Sequence, residues 1–138
     1  MEAKIDLSTP SIIQLPKIVD VRGNLSFAQN ADQLPFVMKR VFWIYDVPGG
    51  ETRGGHAFKT QKELIIVISG SIDIVVVDRF GKTSKFSLNR SYSGLYIPPL
   101  HWRHLENFST NSVSVHLSST MFDESDYIRD FQQFQNIN

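Results

Sequence analysis

Along most of this chain, apolar and polar positions alternate in short runs rich in Val, Ile, Phe and Tyr, broken by Gly, Pro, Asn or Asp. Patterning with a period of two predicts strands that bury one face. The runs are Ser11–Asp20, Leu25–Ala28, Met38–Val47, Gly55–Thr60, Glu63–Ile68, Ser71–Asp78, Thr83–Ser87, Gly94–Ile97 and Ser112–Ser118. Leu64–Ile68 and Ile72–Val77 flank Ser69-Gly70-Ser71, which predicts a hairpin with glycine where the loop needs a positive φ. Asp78–Lys82 and Asn89–Ser93 read as further turns. Only the last part of the chain reads as helical: Asp123 or Ser125 caps it, and Tyr127, Ile128, Phe131 and Phe134 recur on one stripe. Phe131 and Phe134 are read as packing of that helix on a sheet. Many short strands with one terminal helix predict a sandwich or barrel, because closure removes exposed edges.

Composition narrows the class. With 138 residues and 41% hydrophobic side chains, the chain can bury one core, so residues 1–138 are read as a single domain. Fourteen basic residues balance fourteen acidic ones, and like charges do not cluster, which argues against nucleic acid or an anionic membrane as partner. The segment Met1–Lys17 has no basic flank followed by a sustained apolar stretch, so a cytoplasmic location is expected. With no cysteine, disulfides, thiolate nucleophiles and Cys-ligated zinc drop out.

The candidate chemistry centres on "RGGHAFKTQKELIIVISG", Arg53 to Gly70. His56 and Phe58 share a strand face, and Glu63 and Gly70 follow, giving His-x-Phe-x4-Glu-x6-Gly. This resembles the first motif of the cupin superfamily, His-x-His-x4-Glu-x6-Gly, with Phe58 at the second histidine. The second cupin motif, Pro-x-Gly-x2-His-x3-Asn, lies on Pro98 to Asn107, where Leu100 and Arg103 replace the glycine and the histidine. Metal-binding cupins use three histidines and the glutamate as ligands. Here phenylalanine offers no lone pair and Arg103 puts a permanent positive charge where a cation would sit, so no metal is expected unless His101 or His104 takes over.

From about Arg22 to Phe134, the segments "DVRGNL", "PFVMKRVFWIYDV", "RGGHAFK", "ISGSI", "SGLYIPPLHWRHLENFS" and "FDESDYIRDFQQF" resemble the dTDP-4-dehydro-6-deoxyglucose 3,4-ketoisomerases. The resemblance implies a jelly-roll β-barrel of the cupin type with one short C-terminal helix. It also implies a metal-independent enzyme without a cofactor that moves the ketone of a dTDP-4-keto-6-deoxyhexose from C4 to C3, in the making of deoxyamino sugars for surface glycans. Such a shift needs a base for the C3 proton, an enediol and an acid at C4. The first histidine of the family pair is the base, which places His56 in that role, and an imidazole can serve without help from a cofactor. Phe58 stands at the second position, where a histidine assists proton traffic. Tyr45, Tyr96, His101 and His104 are the candidate relays in its stead.

Arg22, Arg40 and Arg53 are candidates for the diphosphate, since a guanidinium pairs with phosphate oxygens in bidentate fashion. Tyr96 and Trp102 are candidates for stacking on thymine. Glu63 and Arg103 complete the substrate-binding candidates. His116 alternates with Ser112, Ser114 and Ser118 opposite Val113, Val115 and Leu117, and is read as facing solvent. The family further implies a homodimer that exchanges N-terminal strands. The alternative function is a non-catalytic or epimerase-like cupin that binds the same sugar nucleotide.

Overall fold

A computed structural model of the chain describes residues 6–137. Residues 1–5, part of the segment read as carrying no leader, and Asn138 lie outside the described residues. The strands are β1 Ser11–Gln14, β2 Lys17–Ile18, β3 Leu25–Ser26, β4 Arg40–Ile44, β5 Arg53–Phe58 and β6 Glu63–Ser69. They continue as β7 Ile72–Val77, β8 Thr83–Leu88, β9 Ser93–Ile97, β10 Trp102–Glu106, β11 Val113–Ser118 and β12 Tyr127–Ile128, and the one helix, α1, is Phe131–Gln135.

Two five-stranded sheets face each other, in the orders β1-β9-β6-β11-β4 and β12-β5-β10-β7-β8, with β2 and β3 forming a small separate ribbon. Every pairing in them is antiparallel. Strands adjacent in sequence fall mostly in opposite sheets, which is the arrangement of a jelly roll. The alternation of side chains then sorts each strand into an inner and an outer set. Ile65, Val67, Ile72, Ile74, Val76, Leu88, Leu95, Ile97 and Leu105 meet between the sheets as the main core.

Two outer faces are also covered. Leu64, Ile66, Tyr96 and Leu117 are roofed by Ile13, Leu15 and Leu34 from the N-terminal part of the chain. Ala57, Trp102 and Ile128 are roofed by Phe134 of α1. Both roofs explain why strands such as β6 and β9 are apolar on both sides.

Several sequence expectations need correction. β6 and β7 do not form a hairpin, because Gly70 carries the chain from one sheet to the other. The glycine is nonetheless required: its φ is +72°, and a Cβ there would collide with Ser109 Oγ and Ser112. The local hairpin is β7–β8, closed by Asp78 Oδ1, which accepts from the Phe80 and Lys82 amides. Ser11–Asp20 is two strands rather than one, separated around Pro16. The helix is shorter than its stripe: α1 starts after Asp130, whose side chain accepts from the Gln132 and Gln133 amides. Asp123 caps only a 3-10 turn at Glu124–Asp126, and Tyr127 and Ile128 are strand.

Candidate active site

His56 and Phe58 project inward from β5, as alternation requires. Across the sheet, Arg103 of β10 is the direct partner of His56, and Tyr127 of β12 is the partner of Phe58. The three rings of His56, Phe58 and Tyr127 form a triangle, with centroids 4.7 Å apart for His56–Phe58, 5.2 Å for His56–Tyr127 and 4.5 Å for Phe58–Tyr127. Arg103, 1% exposed, lays its guanidinium 5.1 Å from the Phe58 centroid. An aromatic face under a desolvated cation is worth about 2 kcal/mol. Position 58 thus supports the cation it faces.

Facing this cluster from the other sheet is a buried polar chain. Arg40 Nη2 donates to Gln61 Oε1 at 2.7 Å, and Gln61 Nε2 donates to Glu63 Oε2 at 2.9 Å. The same Glu63 oxygen accepts from Arg103 Nη1 at 3.2 Å, while Glu63 Oε1 is bonded by His116 Nδ1 at 2.7 Å. On the other side of the ring, His116 Nε2 shares a hydrogen bond with Ser114 Oγ, 2.8 Å away. Phe42 stacks on the His116 ring, with centroids 4.6 Å apart. Glu63, the carboxylate of the cupin motif, is therefore engaged by Arg103 and His116.

The electrostatics follow from burial. Desolvation, and next the charge of Arg103, push the His56 imidazole down to about 3, against the pull of Glu63. His56 is neutral near pH 7 and has a lone pair to accept a proton. Burial alone would raise the Glu63 carboxyl, but the His116 hydrogen bond and the neighbouring charges hold it down to about 2. Arg103 Nη2 and Arg40 Nε are buried N–H donors without a partner. Such orphans are costly unless something accepts from them.

The remaining sequence candidates divide by face. Tyr45 and Arg53 line a cleft of about 530 Å³ together with Glu51 and Gly54. Gly54 adjoins His56, since a Cβ there would stand 3.7 Å from His56 Cε1, so the cleft opens beside that imidazole. Arg40 joins the interior, as described.

Tyr96 is 0% exposed and lies on the outer face of β9, where its hydroxyl donates to the Leu7 carbonyl. Trp102 is likewise on an outer face, against Phe131 and Phe134. Neither ring shares the pocket of His56, so Tyr96 does not reach it as the relay expected from the sequence. His104 also points outward and pairs with Glu106 at 2.9 Å. His101 bonds the Pro99 carbonyl and lines a separate cavity of about 740 Å³ that His56 does not touch. Burial pushes its imidazole down as well. Arg22 is exposed at the turn between β2 and β3 and pairs with Asp20. The structure therefore brings His56, Phe58, Glu63, Arg40 and Arg103 together and leaves Tyr96, Trp102, His101, His104 and Arg22 apart.

His116 is a correction in the opposite sense. The Ser114, His116 and Ser118 face of β11 points into the barrel, and His116 is 2% exposed. The apolar Val115 and Leu117 face outward under the N-terminal roof. The signal available in the sequence was that a roof of apolar N-terminal residues needs an apolar outer face to cover. Gln61 and Tyr127 were missed too, the latter because a single Tyr-Ile pair fits a helix stripe as well as a strand.

A two-sheet barrel with the cupin histidine on its inner wall, and with Phe58 and Arg103 in place of two metal ligands, defines a cupin whose pocket offers a buried guanidinium rather than a metal site. Residues 8–138 match the family described as "FdtA: WxcM-like, C-terminal", and the chain belongs to that family.

Among curated proteins, it is 35% identical to the TDP-4-oxo-6-deoxy-α-D-glucose-3,4-oxoisomerase of Aneurinibacillus thermoaerophilus, over 90% of this chain and 88% of that one. Among solved structures, the WlaRB TDP-quinovose 3,4-ketoisomerase of Campylobacter jejuni is 37% identical, with a TM-score of 0.87 over 93% of this chain and 98% of that one. A variant of the 3,4-ketoisomerase QdtA of Thermoanaerobacterium thermosaccharolyticum, in complex with TDP-4-keto-6-deoxyglucose, is 31% identical. Its TM-score is 0.90 over 95% of this chain and 94% of that one.

Proposed function

We propose that this protein is a nucleotide-sugar 3,4-ketoisomerase that moves the ketone of a dTDP-4-keto-6-deoxyhexose from C4 to C3 through an enediol, without a cofactor. The observation that carries this reading is the pairing of a neutral His56 with Arg103, whose Nη2 has no partner in the protein. His56 takes the C3 proton. The negative charge that then develops on the C4 oxygen meets the free N–H of Arg103, a donor already fixed by Glu63 and Phe58. A preorganised donor in a dry site stabilises such an oxyanion more than water does. It also offsets the charge of Arg103 and so relieves its pressure on the His56 imidazolium. Arg53 at the mouth and Arg40 within are the candidates for the diphosphate.

The cellular setting belongs to the same reading: a cytoplasmic enzyme supplying 3-keto sugars for deoxyamino sugars of surface glycans. Among the described residues, no helix is long and apolar enough to cross a membrane. The reading includes a homodimer that exchanges N-terminal strands. In its favour, large apolar side chains stand exposed at Ile12, Ile18, Val19, Val21 and Leu25 and on the outer face of β4 at Val41 and Trp43.

The test is incubation with dTDP-4-keto-6-deoxyglucose in heavy water, followed by NMR. Deuterium at C3 of the remaining substrate and a new 3-keto product carrying deuterium at C4 are expected, and His56→Asn should lower both by about 100-fold or more. Binding without exchange or product would instead mark a non-catalytic sugar-nucleotide cupin. A C3 or C5 epimer would mark an epimerase.

A further inference from the structure

With Phe58 in place of the second histidine, the inner wall beside His56 lacks an imidazole for the second proton transfer. The side chain that stands there is Tyr127. It is partly exposed, and its ring touches both His56 and Phe58. Its hydroxyl forms no hydrogen bond among the described residues. Of the four tyrosines in the chain, the other three are placed differently. Tyr96 is bonded to Leu7 on an outer face, Tyr92 lies under Lys17, and Tyr45 lines the cleft beyond Gly54.

Two cations attend the ring triangle. The Arg129 guanidinium lies 4.2 Å from the Tyr127 centroid, held by a bidentate pair with Glu124 at 2.7 and 3.0 Å. Arg103 stands opposite His56 and lays its guanidinium on Phe58, the ring that Tyr127 touches.

We propose that Tyr127 is a catalytic residue: its hydroxyl is the acid that delivers a proton to C4. The inference rests on the ketoisomerase reading and completes its proton count. His56 removes the C3 proton, the C–H electron pair becomes the C3=C4 bond, and the carbonyl pair of C4 moves onto its oxygen. The proton of the C3 hydroxyl passes to that oxygen. The lone pair left on O3 then re-forms a ketone at C3, and the C3=C4 pair takes the phenolic proton of Tyr127 at C4. The phenolate, beside Arg129, recovers a proton from the His56 imidazolium, directly or through one water, so that both groups return to their starting states. No oxidant or metal enters the balance.

Tyr127→Phe keeps the ring triangle and removes only the hydroxyl. In heavy water with dTDP-4-keto-6-deoxyglucose, this variant is expected to exchange deuterium into C3 at close to the parent rate. Formation of the 3-keto product should fall by about 100-fold or more, the usual scale for a positioned acid. Product formation at the parent rate would overturn the assignment, as would equal loss of exchange and product, since the hydroxyl would then act in binding or in the first step. If the parent protein itself neither exchanges nor isomerises, the ketoisomerase reading falls and this assignment with it. A fluorinated tyrosine at position 127 gives a second readout. A more acidic phenol should move the alkaline limb of kcat to lower pH, and an unmoved limb counts against the proposal.

Discussion

In the proposed reaction His56 meets its substrate as an uncharged imidazole, because burial and the Arg103 charge both disfavour the imidazolium, with a value of about 3 against an ordinary 6.5. The direction matters for kinetics. A base must be neutral to act, and an imidazole with a lowered value stays neutral as acid is added. The acid limb of kcat/KM is therefore expected well below pH 6.5, with little loss between about pH 8 and about pH 5. Rate measurements across that range check it. A limb at the ordinary histidine value would mean that His56 is solvated in the working enzyme.

At the level of strands and loops, the loop between β5 and β6 is held by Asp126, which is buried and sits at the end of the 3-10 turn that precedes β12. Its Oδ1 accepts from the Thr60 amide and hydroxyl at 2.9 Å each, and Oδ2 accepts from the Gln61 amide at 3.2 Å. This clamp sets β12 beside β5 and so places Tyr127 next to His56. Asp126→Ala leaves two amides without their partner and should cost about 2–3 kcal/mol, read as a lower urea midpoint at unchanged m. Asp126→Asn should lose less. The same elements show what the sequence made legible. The shared face of His56 and Phe58 on β5 and much of the succession of strands follow from alternation and turn chemistry alone. The partner of each strand does not: Leu64–Ile68 and Ile72–Val77 look like a hairpin because nothing local distinguishes a tight turn from a crossing between sheets. Nor does alternation say which face is inside. In β11 the polar face is the buried one, so His116 was misplaced for want of knowing that Ile13, Leu15 and Leu34 cover the other.

For the molecule as a whole, the outer face of β4 presents Val41, Trp43 and, just beyond it, Tyr45 to solvent, with Trp43 58% exposed. Large apolar side chains so grouped mark an interaction surface. If the proposed homodimer is built on this face, Trp43→Glu is expected to leave only monomer in sedimentation while keeping the folded signal intact. An unchanged dimer would place the interface elsewhere. The order of the strands carries a kinetic consequence as well. Within the two large sheets only β7 and β8 are neighbours in both sequence and space. β1 waits for β9, β4 for β11, and β5 for β10 and β12. A nascent chain that has reached Tyr92 can close one hairpin and the small β2–β3 ribbon but neither large sheet. Non-local pairing of this kind refolds in milliseconds to seconds rather than microseconds. During synthesis, the two-faced apolar strand Leu64–Val67 therefore depends on chaperones or on speed until the last third of the polypeptide arrives.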